Sequence, residues 1–377
     1  MNLFASRLPA GQAGRYVVLK KKEILMKYII TGLVILAGFL FVSQTESVAQ
    51  NTEYKEFTVV FYNTENLFDT KDGPAVYDEE FTPTGSKEWT QKRYQKKISD
   101  IAKVVTSADP EGLPEIIGLA EVENETVLKS LLETEHFSGG YYGIVHEDSP
   151  DMRGIDVALL YKADAFDLLH DEFIPIQFPF DPESKVRDIL YAKGVAGKDT
   201  LHFFVNHWKS RSGGREETEA KRVFSARILK AKIDSILNKN SDAKIVALGD
   251  FNDEPNNKSL SEVLEAKNPD KKEKDKQLYN LLYPKDKQGE GTYNYQSEWF
   301  MLDNLIVSLA CMRGKGYTIT PDDVRIFNPP WVLYDHPKAG MEVPNRTYGG
   351  DNYFGGISDH LAIYGVFTNK SKRNNSE

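Results

Sequence analysis

The amino-acid sequence predicts an α/β sandwich built on mixed or antiparallel sheets. Three observations lead there. Apolar runs of strand length recur along the chain: "FTVVFYNTEN", "EIIGLAEVEN", "IDVALLYK", "LHFFVNHWKS", "AKIVALGDFND", "FMLDNLIVS" and "HLAIYGVF". Helical stretches lie between some of them, but without the strict alternation of a doubly wound parallel sheet. Apolar residues make up 40% of the 377 and charged residues 27%, which supplies a substantial core and argues against wholesale disorder.

The first fifty residues stand apart. Lys20 to Lys27 form a basic stretch, "YIITGLVILAGFLFV" (Tyr28 to Val42) is apolar, and Ser47 and Ala49 are small residues at a plausible cleavage point. That is the layout of a secretory signal peptide over 1–50, with Met26 as an alternative start. An uncleaved membrane anchor is the competing reading. A secreted or periplasmic location follows if the leader is removed. Residues 51–370 then form one domain, and 371–377 a polar tail. Losing six Lys/Arg and two Asp/Glu with the leader takes the formal charge from −9 to about −13. So acidic a protein is no generic electrostatic binder of nucleic acid, and a divalent cation is the obvious means of drawing in phosphates. Cys311 is the only cysteine, so neither an internal disulfide nor a cysteine-based zinc site can form.

Within the domain, "TQKRYQKKISDIAKVV" sets Tyr94, Ile98, Ile101 and Val105 on one helical stripe. "REETEAKRVFSARILKAKIDSIL" reads as a longer helix after Gly213-Gly214. "AKNPDKKEKDKQ" (Ala266 to Gln277) is charge-dense and suits a solvated loop or, alternatively, a substrate-contacting one. Thr320 to Gly356 is rich in Pro, Gly and aromatics. So long a connection is usually functional or disordered, and its Trp, Tyr and Phe content favours order.

Many of the apolar runs end in residues a buried strand has no use for. Glu121 closes "IIGLA", where an unpaired carboxylate would cost several kcal/mol. Asn63 and Glu65 repeat the pattern. Asp250, Asn252 and Asp253 suit Asx turns as well as chemistry. His207 alone suits a structural histidine, Asp303 interrupts another strand, and Asp359-His360 precedes the last one. Taken together these groups suit a hard cation, Mg²⁺ or Mn²⁺ with Ca²⁺ also compatible, and histidines able to stabilise charge or move a proton. No serine nucleophile elbow, Walker loop or HExxH motif is present. The chemistry on offer is metal-assisted hydrolysis by activated water.

The ordered series "NTEN", "AEVEN", "NHWKS", "GDFND", "LDNLIVS" and "SDH" resembles the endonuclease/exonuclease/phosphatase superfamily, over nearly all of residues 55–368. "NTENLFD" and "NHWKSRSGG" are most similar to an exported bacterial branch of it. The resemblance implies an α+β fold, a four-layer α/β/β/α sandwich with two mixed, mainly antiparallel sheets packed face to face, as in deoxyribonuclease I. It implies metal ligation by Glu121, with Asn63, Glu65 and Asp359, and catalytic roles for His207, Asp250, Asn252, Asp303 and His360. Asp303 would hold His360, and either Asp250 or His360 would take the proton. Asn63, Arg153, Lys209 and Arg211 would contact substrate, although Arg153 could equally make a surface ion pair. Asn304 stands where many relatives have an aromatic residue or His, at a position expected to be structural. The implied activity is phosphodiester hydrolysis by a monomeric enzyme, with nucleic acid as substrate. A phosphorylated small molecule or a phospholipid is the alternative, its pocket lined by Trp331, Tyr334, Tyr348, Tyr353 and Phe354. A binding module without turnover is a third reading, against which the intact set of acids and histidines argues.

Overall fold

The computed structural model describes residues 56–109, 112–271, 276–313, 315–337 and 340–369. The leader expected over 1–50 and the tail at 371–377 lie outside the described residues. Among those described, no helix is long and apolar enough to cross a membrane.

Two seven-stranded sheets form the frame. The first runs β14 (Tyr317–Thr318), β20 (Ala362–Asn369), β1 (Glu56–Leu67), β2 (Ile116–Val122), β4 (Asp156–Lys162) and β3 (Tyr142–His146), with β15 (Val324–Phe327) also on β20. The second runs β5 (Asp167–Ile174), β6 (Ile189–Ala196), β7 (Asp199–His207), β8 (Lys244–Asp250), β13 (Asp303–Ser308), β10 (Leu278–Asn280) and β9 (Ala266–Lys267). Pairing is parallel for β1 with β2, β7 with β8 and β9 with β10, and antiparallel elsewhere. Three small hairpins, β11 (Tyr293–Tyr295) with β12 (Glu298–Phe300), β16 (Leu333–His336) with β17 (Met341–Pro344), and β18 (Tyr348–Gly349) with β19 (Asn352–Tyr353), decorate the frame.

Alternation along the strands decides the layers. Phe57, Val59 and Phe61 of β1 point inward, meeting Phe203, Val205, Leu248 and Leu305 of the other sheet in one fully buried core. Val60 and Tyr62, one residue out of phase, face the opposite way. There they meet Ile98, Ile101 and Val105 of helix α1 (Gln91–Ser107) and Val127, Leu128 and Leu131 of α2 (Glu125–Leu132). Thr90 and Asn124 cap these two helices, each accepting backbone N–H groups that would otherwise go unpaired. The outer face of the second sheet is covered by α3 (Arg215–Lys239) through Ala226, Leu229, Ile233 and Leu237. The result is the four-layer α/β/β/α sandwich, with short helices α4 (Tyr283–Lys287) and α5 (Leu309–Met312) in the connections.

Periodicity does not reveal every strand. "DLLHDEFI" (β5) is an exposed edge rich in charge, where solvent rather than alternation sets composition. "ILYAKGVA" (β6) carries Lys193 and Gly194 amid its apolar residues. The charged insertion contributes the two residues of edge strand β9, and residues 272–275 lie outside the described set. The described residues of the 320–356 stretch form β15 and two hairpins rather than one long loop, in keeping with their aromatic content. Tyr348 is buried and Tyr353 and Trp331 partly buried against the α1 side of the core, leaving Phe354 exposed.

Candidate active site

Register brings three of the polar strand ends into line. On the second sheet, His207 is paired with Asp250 across β7 and β8, and Asp250 with Asp303 across β8 and β13. One residue from each of three neighbouring strands thus reaches the same edge. Gly249 permits this approach: with φ at +154°, a Cβ there would sit 2.2 Å from the Asn206 carbonyl oxygen. On the first sheet, β1 and β2 bulge at the same end. Glu65, Asn66 and Glu121 adopt left-handed φ of 51°, 58° and 61°, and the β1–β2 register breaks after Asn63. These bulges turn Asn63 and Glu121 toward the acids of the opposite sheet.

The contacts close the group. Asn63 Nδ2 donates to Asp250 Oδ2 at 3.1 Å and faces Glu121 Oε1 at 3.5 Å. His207 Nε2 stands 3.6 Å from Asp250 Oδ2 and 3.7 Å from Glu121 Oε1. His360 Nε2 is 3.8 Å from Asp250 Oδ2, and its Nδ1 is 2.7 Å from Asp303 Oδ2. The His360 ring lies against Tyr293, with centroids 4.9 Å apart. Ser358 anchors the segment, donating from Oγ to the Asn63 carbonyl and accepting the His360 N–H. Asp250 serves two ends: Oδ1 accepts the Asn252 N–H in an Asx turn, and Oδ2 faces the site. Asn252, at φ 51°, donates from Nδ2 to the Trp208 carbonyl and so braces the turn.

Burial and charge push these groups apart in proton affinity. Burial opposes the imidazolium of His360, but the charge and hydrogen bond of Asp303, with Asp250 and Asp359 behind them, raise its pKa well above the ordinary value. Burial lowers His207 far below that value, helped by the charges of Arg187, Arg153 and His360. One histidine is therefore held cationic and the other neutral. Burial carries Asp250 up to about 7, partly offset by His360 and reinforced by Asp303 and Glu121.

The residues fit a divalent cation. Glu121 Oε2 accepts the Asn66 N–H at 2.9 Å, while Oε1 has only the 3.5 and 3.7 Å neighbours above. That oxygen and Asp250 Oδ2 share His207 as a neighbour, and Asp250, Asp303 and His360 offer atoms within 4.8 Å of one another. A carboxylate pair open on one side is a hard-cation donor set. Glu121 and Asp250 are the residues that would hold the ion.

The remaining expected residues are placed as follows. The Glu65 carboxylate accepts the N–H groups of Thr347 and Tyr348 and so clamps the loop that leads to His360. Asn63 turns Nδ2 to the site, and its Oδ1 accepts the Glu65 N–H. Asp359 is paired with Arg346 at 3.0 Å. Arg211 is engaged by the Asn252 carbonyl, Asn257 and Glu254, bracing the turn. Arg153 forms a two-pronged pair with Asp151, half exposed and within the field of Glu121. Lys209 is half-buried near Arg187 and Arg153, and burial together with those charges lowers its pKa. Asn304 is fully buried, binding Asn280 and three backbone carbonyls, a structural role.

Sequence reading missed several supporting groups. Arg187, fully buried, donates to the carbonyls of His207 and Trp208 and to Asp151, tying the His207 strand end to the Arg153 loop. Lys97 donates to the carbonyls of Glu65 and Ile357 and to Thr347, locking α1 to the loop that leads into His360. Arg346 reaches between Asp359 and Glu65, and its buried Nε lacks a hydrogen-bond partner. Arg187 and Arg346 lie in charged or turn-rich stretches where no periodic signal marks them, whereas Lys97, three residues after Tyr94 and four before Ile101, sits on the apolar stripe of α1 and was open to notice there.

Among solved structures, similar folds include TDP2 from D. rerio, humanized by 14 mutations, at 14% identity, covering 83% of this chain and 99% of that one with a TM-score of 0.51. TDP2 from C. elegans aligns at 16% identity over 86% and 79% of the two chains, also at 0.51. A mannosyl-6-phosphatase from Bacteroides thetaiotaomicron aligns at 17% identity over 82% and 98%, with a TM-score of 0.49. No curated protein matches the sequence significantly. The sequence profile of the Endonuclease/Exonuclease/phosphatase family matches residues 58–370, most of the chain, and the protein belongs to that family of phosphoric ester hydrolases.

Proposed function

We propose that this protein is an exported, divalent-metal-dependent phosphodiester hydrolase whose substrate is nucleic acid, cut internally. The supporting observation is the meeting of the Asp303–His360 pair with Glu121, Asn63, His207 and Asp250 at one end of both sheets. When bound, Mg²⁺ or Mn²⁺ supplies charge neutralisation at a phosphoryl oxygen and lowers the pKa of water. The chain's own groups do the rest. The His360 imidazolium, held by Asp303, meets the charge developing on the phosphate. Asp250 orients or accepts a proton from the attacking water, and neutral His207 donates from Nε2. Asn63 keeps Asp250 and Glu121 in register.

Nucleic acid is favoured by what flanks the site. Tyr295 is exposed and lies on the same face of its hairpin as Tyr293, the ring against His360, so a base can stack beside the reacting phosphate. Lys209, Arg153 and Arg346 are placed for neighbouring phosphates. The second reading, a phosphorylated small molecule, is supported by the formal charge of −9, which suits few phosphate contacts. Export rests on the leader sequence. Purified protein tested on plasmid DNA, RNA, sphingomyelin and phosphosugars, with Mg²⁺ and with chelator, separates these readings. Nicking that falls steeply with salt is expected; turnover of a phosphosugar alone would defeat the nuclease assignment.

A further inference from the structure

We propose that the β3–β4 hairpin holds a second divalent cation, of the Zn²⁺ or Mn²⁺ class, on His146, Asp148 and Asp156. His146 ends β3 and Asp156 begins β4, and the nine-residue connection curls back so that Asp148 joins them. The three candidate ligand atoms lie within 4.8 Å of one another. They are separate from the residues of the site described above.

The second observation is an orphan. His146 Nε2 is buried and has no hydrogen-bond partner, although Asp156 Oδ2 is only 3.3 Å away. Its side chain is 4% exposed and that of Asp156 3%, so water does not replace the missing bond from outside. A buried ring nitrogen aimed at a carboxylate without hydrogen-bond geometry suits a shared ion. Bond lengths of about 2.0–2.2 Å place neighbouring ligand atoms roughly 3.0–3.5 Å apart around a cation. The 3.3 Å separation falls inside that range. Asp148 is exposed and can swing the remaining distance, and water completes the shell.

Charge agrees. Asp151, in the same connection, has two arginine partners, whereas among the described residues neither Asp148 nor Asp156 is paired with Lys or Arg. Glu147 and Asp188 add further negative charge nearby, the Asp188 carboxyl being raised by burial and then by Glu147 and Asp156. The Ser149 N–H already holds Asp156 Oδ1 at 2.8 Å, fixing the carboxylate with Oδ2 toward His146. One imidazole among the donors favours Zn²⁺ or Mn²⁺ over Ca²⁺. Such an ion would stiffen the connection that carries Asp151 and Arg153 toward Glu121, and this inference stands whatever the substrate is.

The test is metal stoichiometry and thermal stability of the full chain, stripped of metal and titrated with Zn²⁺ and, separately, Mn²⁺. Asp148→Asn removes an exposed ligand and leaves packing alone; His146→Gln removes the buried one; Glu121→Gln weakens only the catalytic centre. The expected result is one equivalent, with a metal-dependent rise in Tm, that survives Glu121→Gln and binds at least about tenfold more weakly in Asp148→Asn and His146→Gln. Equal stoichiometry and affinity in wild type and Asp148→Asn would overturn it, as would loss of all bound metal in Glu121→Gln. Should His146→Gln fail to fold, Asp148→Asn decides alone.

Discussion

Asp303 Oδ2 lies 2.7 Å from His360 Nδ1, although the residues are 57 positions apart, Asp303 opening β13 of the second sheet and His360 lying just ahead of β20 of the first. The contact bridges the sandwich at its functional end. Asp303→Asn keeps the shape but removes the charge that stabilises the imidazolium. We expect kcat on a diester substrate to fall about 10²–10⁴-fold with the circular dichroism spectrum unchanged. Because the pair acts as a unit, Asp303→Asn with His360→Gln should lose little more than His360→Gln alone.

Glu121 leaves Oε1 without a close partner beside Asp250 Oδ2. Chelator should abolish turnover and added Mg²⁺ or Mn²⁺ restore it. Glu121→Gln should raise the metal concentration for half-maximal rate at least about tenfold. A metal titration of initial rate reads this directly, and an unchanged midpoint would remove Glu121 from the metal centre.

Arg346 is held on one side by Asp359 and its Nε stands 3.9 Å from Glu65 Oε1, while the side chain stays 41% exposed. A substrate phosphate can complete it. A lost charge-assisted hydrogen bond costs about 1.5–3 kcal/mol, so Arg346→Met should raise KM roughly 10- to 100-fold. A smaller effect on kcat, with partial recovery in Arg346→Lys, separates substrate contact from a general loosening of the loop.

Arg211 braces the turn that carries Asn252. Arg211→Met is expected to lower unfolding free energy by about 1–3 kcal/mol in denaturant titration. The salt dependence of substrate binding should not change. A shallower salt slope at unaltered stability would return this residue to the substrate.

His202, at the far end of β7 from His207, is pulled down to about 4 by burial and the charge of Lys193. Its Nδ1 pairs with the Tyr191 hydroxyl at 2.8 Å. The unfolded chain takes up this proton near pH 6.5, while the folded protein resists until about 4. Stability is therefore lost as pH falls through that window, by up to about 2 kcal/mol after allowing for solvent screening. His202→Gln should flatten the decline, as read by urea midpoints across pH 4–7.

The strand ends that matter were visible in the sequence because burial makes them conspicuous. An acid or imidazole beside "IIGLA" or "IVALG" has no apolar reason to be there, and five such residues meet in space around Asn63. Charged surface stretches offer no such contrast. Arg187 in "ESKVRD" and Arg346 in "PNRTY" look like solvent-facing residues, yet one is fully buried and the other flanks His360. Strand β5 escaped notice for the same reason, being an exposed edge whose composition solvent decides.

By itself the sequence determined most of the strand-length apolar runs and the chemical inventory, and its ordered motifs carried the resemblance that implied four layers. Burial makes those runs legible without a partner, and hard oxygen donors with histidines suit hydrolysis by activated water. Only the tertiary structure decided which donor points where. Left-handed residues in β1 and β2 turn Glu121 toward His207 and Glu65 toward Thr347 and Tyr348, although both are glutamates near the end of a strand. Register across β7, β8 and β13 then aligns three residues from distant segments, a relation set by long-range hydrogen bonding that spacing along the chain cannot express.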